Sequence, residues 1–342
     1  MSRRSARPRS VAELGEFPLI ERLAVRLGEV RSDVVVGIGD DVAAIEIVPE
    51  RLLLITCDAQ VGGSHFLVDR CDPRRLGRKA AAINVSDIAA AGGRPTHFLS
   101  SLVLPAETEV AFVEALYDGL AEEAGRWGAD VVGGNVSRGD SLVIDLTLLG
   151  EVAKGDMLGR DGARVGDRIV VTGSLGAAAA GLHLKLNPEL EVEDTHRVRA
   201  LDAFETPTPR LPEALALVAA GGVRAAIDVS DGLAADLGHV CDRSAVGVRV
   251  DATAIPIDDA AKAVARASAL EAIEWALGGG EDYELVLAVA AERAPTLLDA
   301  VVSATGTPAT VIGEIVPAEQ GRKLQWPGGR ERSLTPEGWR HF

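Results

Sequence analysis

Four times along this sequence an apolar run gives way to aspartate. Asp33-Val34-Val35-Val36 leads into Gly37-Ile38-Gly39-Asp40-Asp41, and Leu52-Leu53-Leu54-Ile55 leads into Thr56-Cys57-Asp58. Asn84-Val85-Ser86-Asp87 and Asp228-Val229-Ser230-Asp231 repeat the arrangement. One aspartate after a strand is ordinary turn or helix-cap chemistry. Four such segments restrict the folds available, because they read as strand ends that gather oxygen ligands for hard cations. Carboxylates brought together without cations would repel, and some would have to keep their protons. Mg²⁺ takes one or two carboxylates per ion and completes its shell with phosphate oxygens. A convergence of Asp40, Asp41, Asp58, Asp87, Asp228 and Asp231 therefore implies two or more ions shared with a polyphosphate.

The chain has 342 residues, which is long for one core and points to two domains. Its apolar content is carried by Ala, Val, Leu and Gly, with aromatics at only 4%. That favours small-residue packing of helices on sheets over an aromatic-rich sandwich. The formal net charge of −16 argues against nucleic acid as a partner, since a grip on phosphate backbones needs Lys/Arg clusters. Only Ser2–Arg9 is locally basic, and with no apolar stretch behind it residues 1–12 read as a disordered tail, not a signal peptide. Cys57, Cys71 and Cys241 are odd in number and match no zinc or redox spacing, so reduced thiols and a cytoplasmic location are expected. No apolar run approaches the ~20 residues of a membrane span.

Periodicity gives an α+β reading with mixed sheets covered by helices. A short helix begins at Glu13. Strands are expected at 33–36, 52–55, 96–104, 129–132 and 142–152. Asp72-Pro73 starts an alanine-rich helix to Ala91 that contains Asn84 and Asp87, poor interior formers in a helix meant only to pack. Another helix is expected over 108–128. The polar, glycine-rich stretch 154–167 is placed as the boundary between a domain of residues 13–153 and one of 154–342. The second half then reads as strands at 168–172, 225–229, 246–250, 285–289 and 309–315. Helices are expected after Gly176 and over 189–205, 211–220, 233–244, 260–269 and 294–303.

No P-loop, no Gly-x-Gly-x-x-Gly after a strand and no Gly-x-Ser-x-Gly elbow occurs. Gly133-Gly134 and Gly173-Ser174-Leu175-Gly176 are short glycine turns whose amides could approach a phosphate. His65 follows a flexible Gly62-Gly63 turn. Gly278-Gly279-Gly280 allows close backbone approach to a ligand and is followed at once by Glu281-Asp282-Tyr283-Glu284. With no nucleophile constellation, the residues point to positioned, metal-assisted phosphoryl transfer and away from covalent catalysis.

Taken in order, several segments resemble the thiamine-monophosphate kinase family, within the AIR-synthetase-like (PurM-like) superfamily. They are Gly37-Ile-Gly-Asp-Asp41, Val61-Gly-Gly-Ser-His-Phe66, Lys79-Ala80, Asn84-Val-Ser-Asp87, Arg160-Asp-Gly-Ala163, Val171-Thr-Gly-Ser-Leu-Gly176, Asp228-Val-Ser-Asp-Gly-Leu233, Asp236-Leu-Gly-His239, Gly279-Gly-Glu-Asp-Tyr-Glu-Leu285 and Gly338-Trp-Arg-His-Phe342. The resemblance implies a two-domain PurM-like fold and a homodimer paired through N-terminal-domain sheets. It also implies ATP and several Mg²⁺ ions as co-substrate and cofactor, and transfer of phosphate from ATP to thiamine monophosphate. Carried over, Asp41, Thr56, Asp58, Asp87, Asp228 and Asp231 match metal ligands. Gly134, Arg160 and Ser230 match ATP contacts, and His65, Glu281 and Trp339 match substrate contacts. Two departures stand out. Asn135 replaces a metal-binding Asp of the family and offers a carbonyl oxygen without charge. Cys57 stands where the family has Thr, and a thiol is a poor Mg²⁺ ligand. Two other readings stay open: a phosphotransferase of the same superfamily with a different small substrate, and a catalytically weakened binding homologue because of Asn135.

Overall fold

The computed structural model describes residues 33–37 and 40–335; the expected tail, the helix from Glu13, Ile38, Gly39 and Trp339 lie outside the described residues. Two mixed sheets organise what remains. The first is drawn from β1 (Val34–Val36), β2 (Ala43–Val48), β3 (Arg51–Val61), β4 (Arg94–Leu104), β5 (Asp130–Arg138) and β6 (Val143–Ala153). Their spatial order is β1-β2-β3-β6-β4-β5, antiparallel throughout except for the parallel β4–β5 pair. Helices α1 (Pro73–Ala90) and α2 (Val110–Arg126) cover one face.

Alternation explains which face. Along β3, Leu52, Leu54, Thr56 and Gln60 are buried, while Leu53, Ile55, Cys57 and Ala59 are half-buried or exposed. Leu99 on β4 and Leu149 on β6 continue that second face, which among the described residues no element covers.

The second sheet contains β7 (Arg168–Thr172), β8 (Val223–Asp228), β9 (Gly247–Asp251), β10 (Leu285–Val289), β11 (Ala309–Val316), β12 (Arg322–Gln325) and β13 (Glu331–Ser333). Its order is β13-β12-β9-β11-β7-β10-β8. All of β10 is buried, as its unbroken Leu-Val-Leu-Ala-Val predicts for a strand covered on both faces. Around it lie α3 (Ala177–Leu186), α4 (Asp194–Glu205), α5 (Leu211–Ala220), α6 (Leu233–Ser244), α7 (Asp259–Ala267), α8 (Ala272–Gly278) and α9 (Ala294–Thr305).

Helix α1 joins the halves. Asp72 caps it, accepting from the Arg74 and Arg75 amides at 2.8 and 3.2 Å, with Pro73 in the first turn. Its alanines let it sit close to neighbours on several sides. Ala80, Ala81, Ala89 and Ala90 share one continuous core with Leu54 and Leu148 of the first sheet and with Leu217, Ala226 and Leu285 of the second half.

Three expectations about local structure change. The second strand does not stop at Ile55, because β3 pairs with β6 over its full length from Arg51 to Val61, so Asp58 lies within a strand and not in a turn. Gly133-Gly134 does not end the strand expected at 129–132, because β5 stays in register with β4 from Leu99↔Gly133 to Leu104↔Arg138. Asp87 lies in the last turn of α1, inside the helix expected to Ala91, so its segment is not one of the four strand ends. Strands β2, β12 and β13 and helix α8 have too short a periodic signal to be read from the sequence.

Candidate active site

The cluster is built from segments far apart in the chain. Asp58 and Thr56 project from β3 on the face toward α1. Asp87 comes down from the last turn of α1, and Asp228 ends β8. Carboxylate oxygens of Asp41, Asp87 and Asp228 lie within 4.8 Å of one another. The Thr56 hydroxyl donates to Asp87 at 2.5 Å, and Ser86 Oγ donates to Asp228 at 2.5 Å. The Arg160 guanidinium forms a two-point ion pair with Asp41, and its amide donates to Asp40 at 3.2 Å. A cavity of about 280 Å³ opens on this cluster and is lined by Asp58, Asp87, Asp228, Ser230, Asp231, His65 and Glu281, among others.

The electrostatics of the cluster are those of a site short of positive charge. Burial, then the charges of Asp58, Asp228 and Asp41, raise the Asp87 carboxyl well above the usual range. Burial and the Asp41 carboxylate raise Asp228 to about 7. Asp40 is raised by burial and by Asp41. Burial works against the charge on Arg160, but the Asp41 carboxylate outweighs it, so the guanidinium's pKa is raised. An all-oxygen donor set of carboxylates and a hydroxyl suits a hard divalent cation such as Mg²⁺, whose charge would relieve this repulsion.

The wall opposite is the turn after α8. Glu281 and Tyr283 both take positive φ, 59° and 50°, although neither is glycine. The Glu281 amide donates to the Ser230 carbonyl at 2.7 Å and the Tyr283 amide to the Val229 carbonyl at 2.9 Å, which locks the turn onto the Asp228–Asp231 segment. Beside it, Gly232 has φ +116°, and a Cβ there would stand 2.8 Å from Gly278 Cα. Glu281 is held from the far side by Lys79 Nζ at 2.7 Å, and that buried ammonium also sits 3.9 Å over the Phe204 ring. His65 Nδ1 accepts from the Val61 amide at 3.0 Å, so the neutral ring carries its proton on Nε2.

Thus the structure brings together Asp41, Thr56, Asp58, Asp87, Asp228, Asp231, Ser230, Arg160, His65 and Glu281. It does not bring Gly134 or Asn135 to them within one chain. Register runs Asn135↔Ser101↔Asp145↔Ala59 across four strands. At about 4.8 Å per strand, Asn135 is roughly 14 Å from β3 and on the face away from Asp58. Gly134 has a packing reason to be glycine: a Cβ there would meet the Ser100 carbonyl at 1.8 Å. Cys57 shares that outer face, where its thiol contacts Asp145 Oδ1 at 3.1 Å.

Several residues around the site carried no assigned role in the sequence. Asp236, buried, accepts from the amides of Asp231 and Gly232 at 3.1 and 3.0 Å and so fixes the turn that carries Asp231; with Asp231 and His239 it forms a second close group. Lys79, Ser86 and Asp236 each fall inside a motif, but only the fold shows what they touch.

The sequence matches the AIR synthase related protein, N-terminal domain, over residues 39–152, and the C-terminal domain of the same description over 164–324. The thiamine-monophosphate kinase of Salmonella typhimurium is 40% identical over 328 residues, covering 96% of this chain and 98% of the relative. The chain belongs to the thiamine-monophosphate kinase family. Within that family, the Aquifex aeolicus kinase is 36% identical over 330 residues, covering 96% of this chain and 99% of its own length. A solved structure described as AaThiL complexed with AMPPCP and TMP superimposes with a TM-score of 0.85 at 34% identity, over 98% of this chain and 100% of that one. The Stenotrophomonas maltophilia thiamine-monophosphate kinase structure gives 0.73 at 36% identity, over 92% and 98%. The hydrogenase maturation protein HypE, at 19% identity and a TM-score of 0.68, shares the two-domain fold alone. The chain is accordingly an enzyme of the kinase class with a PurM-like α+β fold. No helix among the described residues is long and apolar enough to cross a membrane.

Proposed function

We propose that this chain transfers the γ-phosphoryl group of ATP to the phosphate of thiamine monophosphate, giving ADP and thiamine diphosphate. The observation that carries the reading is the meeting of Asp41, Asp87 and Asp228, from three distant segments, beside a cavity that His65 and Glu281 also line. In the reaction a substrate phosphate oxygen bonds to the γ-phosphorus, and the bond from that phosphorus to the β–γ bridging oxygen breaks, its electron pair leaving with ADP. A phosphate monoester is largely ionised near neutral pH, so the attacking oxygen needs no protein base. That accords with a site that has many acceptors and no activated nucleophile.

Asp41, Asp58, Asp87, Asp228 and Asp231, with Thr56, are the residues that would hold Mg²⁺, several ions in all. Bound there, the metal supplies charge neutralisation on the phosphate oxygens. The protein's own groups orient the two substrates. Arg160, clamped by Asp41, and the Ser230 hydroxyl bind ATP in this reading. Glu281, steadied by Lys79, offers a carboxylate to the cationic thiamine moiety, and His65 offers its Nε2–H. We leave Gly134 and Asn135 out of the set that one chain supplies. Homodimer formation through the open face of the first sheet, with Leu53, Ile55, Leu99 and Leu149, is part of the same reading. The test is chromatographic: with ATP, Mg²⁺ and thiamine monophosphate, thiamine diphosphate and ADP should form in equal amounts, while unphosphorylated thiamine gives neither. Folded protein that releases no ADP with thiamine monophosphate would defeat the proposal.

A further inference from the structure

The segment from Glu281 to Glu284 that leads into β10 separates two cavities. Glu281 and Tyr283 line the one described above, while Asp282 and Glu284 line another of about 420 Å³, and the two share no wall residue. Four arginines line this second cavity: Arg75 and Arg78 from α1, Arg199 from α4, and Arg210 at the start of α5. Each is held by carboxylates, most of which stand outside the wall. Arg75 pairs with Asp202 and Glu205, Arg78 with Glu123 at 3.0 Å, Arg199 with Asp258 at 3.0 Å, and Arg210 with Glu284 through two bonds of 2.6 Å. Of these partners, Glu205, Glu123 and Asp258 are not part of the wall.

These pairings use only part of each fork. Arg75 Nη1, Arg78 Nη2 and Arg199 Nη1 donate to no partner among the described residues, and Arg210 Nη1 has only a 3.9 Å ion pair with Glu213. Oriented guanidiniums with a spare N–H edge are what phosphate recognition uses. Three acids share the wall. Burial raises Asp282 to about 8, so it adds little negative charge near neutral pH; Asp202, Glu205, Glu123, Asp258 and Glu284 already balance the four guanidiniums, and the pull on an anion rests on the spare N–H edges. Asp282 also accepts from the Gly176 amide at 2.7 Å, which closes off the N-terminus of α3, so the helix end is not the attraction.

We propose that this cavity is a second, anion-binding site, taking a small phosphate-bearing metabolite of two or more negative charges held by Arg75, Arg78, Arg199 and Arg210. Such a ligand bridges α1 of the first half to α4 and α5 of the second. It would bear on both supports of Glu281: the turn itself, through Asp282 and Glu284, and Lys79, one residue from Arg78 on α1. The site stands independently of the kinase reading, because its test needs no turnover.

The probe is inorganic pyrophosphate, titrated calorimetrically into the full-length chain in EDTA, where the aspartate cluster without metal repels it. One saturable site per chain is expected. Arg199→Gln removes one guanidinium, and Ala203→Glu places a carboxylate on the wall without breaking an ion pair. Each should weaken binding by about tenfold or more, the worth of one charge-assisted hydrogen bond. Circular dichroism melts identify a variant that fails to fold, and the other then carries the comparison. Absence of saturable binding up to about 10 mM, or unchanged affinity in a folded variant, overturns the proposal.

Discussion

The aspartate cluster should make the metal-free protein less stable as pH rises, and Asp228→Asn should relieve that. Asp228 is 1% exposed, and its carboxyl is raised from 3.8 to about 7. A carboxyl whose folded value lies above its unfolded one contributes fully below the unfolded value, and the contribution is lost as pH rises toward the folded one. Here the window is pH 4 to 7. The whole shift corresponds to about 4 kcal/mol, of which roughly 3 kcal/mol is lost between pH 5 and pH 8. Asp87 moves in the same direction, and because the two carboxylates interact their effects do not add. Asparagine keeps an oxygen to accept from Ser86 while removing the charge, so the variant should be kinase-dead yet more stable than the parent in EDTA at pH 8. Urea denaturation in EDTA at pH 5 and pH 8 measures both effects. Mg²⁺ at a hundred times its dissociation constant should return about 2.7 kcal/mol to the parent at pH 8, and far less to the variant. A parent whose stability is flat between those pH values, or an Asp228→Asn protein weaker than the parent at pH 8, would refute the reasoning.

Three other perturbations test separate parts of the structure. Lys79→Met leaves Glu281 without its 2.7 Å partner, so the KM for thiamine monophosphate should rise at least about tenfold while that for ATP holds within about twofold; equal rises in both would deny Lys79 a role specific to Glu281. Gly232→Ala combines a φ of +116° with a Cβ 2.8 Å from Gly278 Cα, and urea titration should show a loss of about 2–4 kcal/mol. Leu99→Asp puts a charge on the open sheet face, where Leu99 is 43% exposed, and should turn a dimer into a folded monomer by sedimentation velocity. An unchanged sedimentation coefficient would move the interface elsewhere.

How much of this was legible in the sequence depends on the range of the interaction. Strands such as β10 and capped helices such as α1 follow from nearest-neighbour chemistry, and their residues announce them. The carboxylates Asp41, Asp58, Asp87 and Asp228 were recognisable as a set because each sits where an apolar run gives way to polar residues. Where they met was not readable, since Asp58 lies inside a strand fixed by the β3–β6 register, and the helix expected to carry Asp87 reaches it only through the packing of α1. Asn135 shows the limit from the other side. Its motif places it with the metal ligands, yet the parallel β4–β5 register carries it about three strands away from Asp58. The Lys79–Glu281 pair, 202 residues apart in sequence, leaves no periodic trace and needed the fold.

The burial of so many acids raises the question of what in the fold sustains them. Helix α1 is the answer the packing gives. It presents Ser86 and Asp87 to the cluster from within the alanine-rich stretch Ala80–Ala90, which is buried apart from Asp87 itself. Alanine has the best helix propensity and loses no side-chain entropy on burial, so α1 can be clamped between the two halves at little conformational cost. Its flanks enter the core shared by both sheets, which ties the position of Asp87 to the docking of the halves rather than to α1 alone. Repulsion among Asp41, Asp87 and Asp228 then acts across that junction, since Asp87 belongs to one half and Asp228 to the other. A cation bound at the cluster would therefore tighten the same junction that the acids alone strain, and its affinity would be thermodynamically linked to the closure of the two halves.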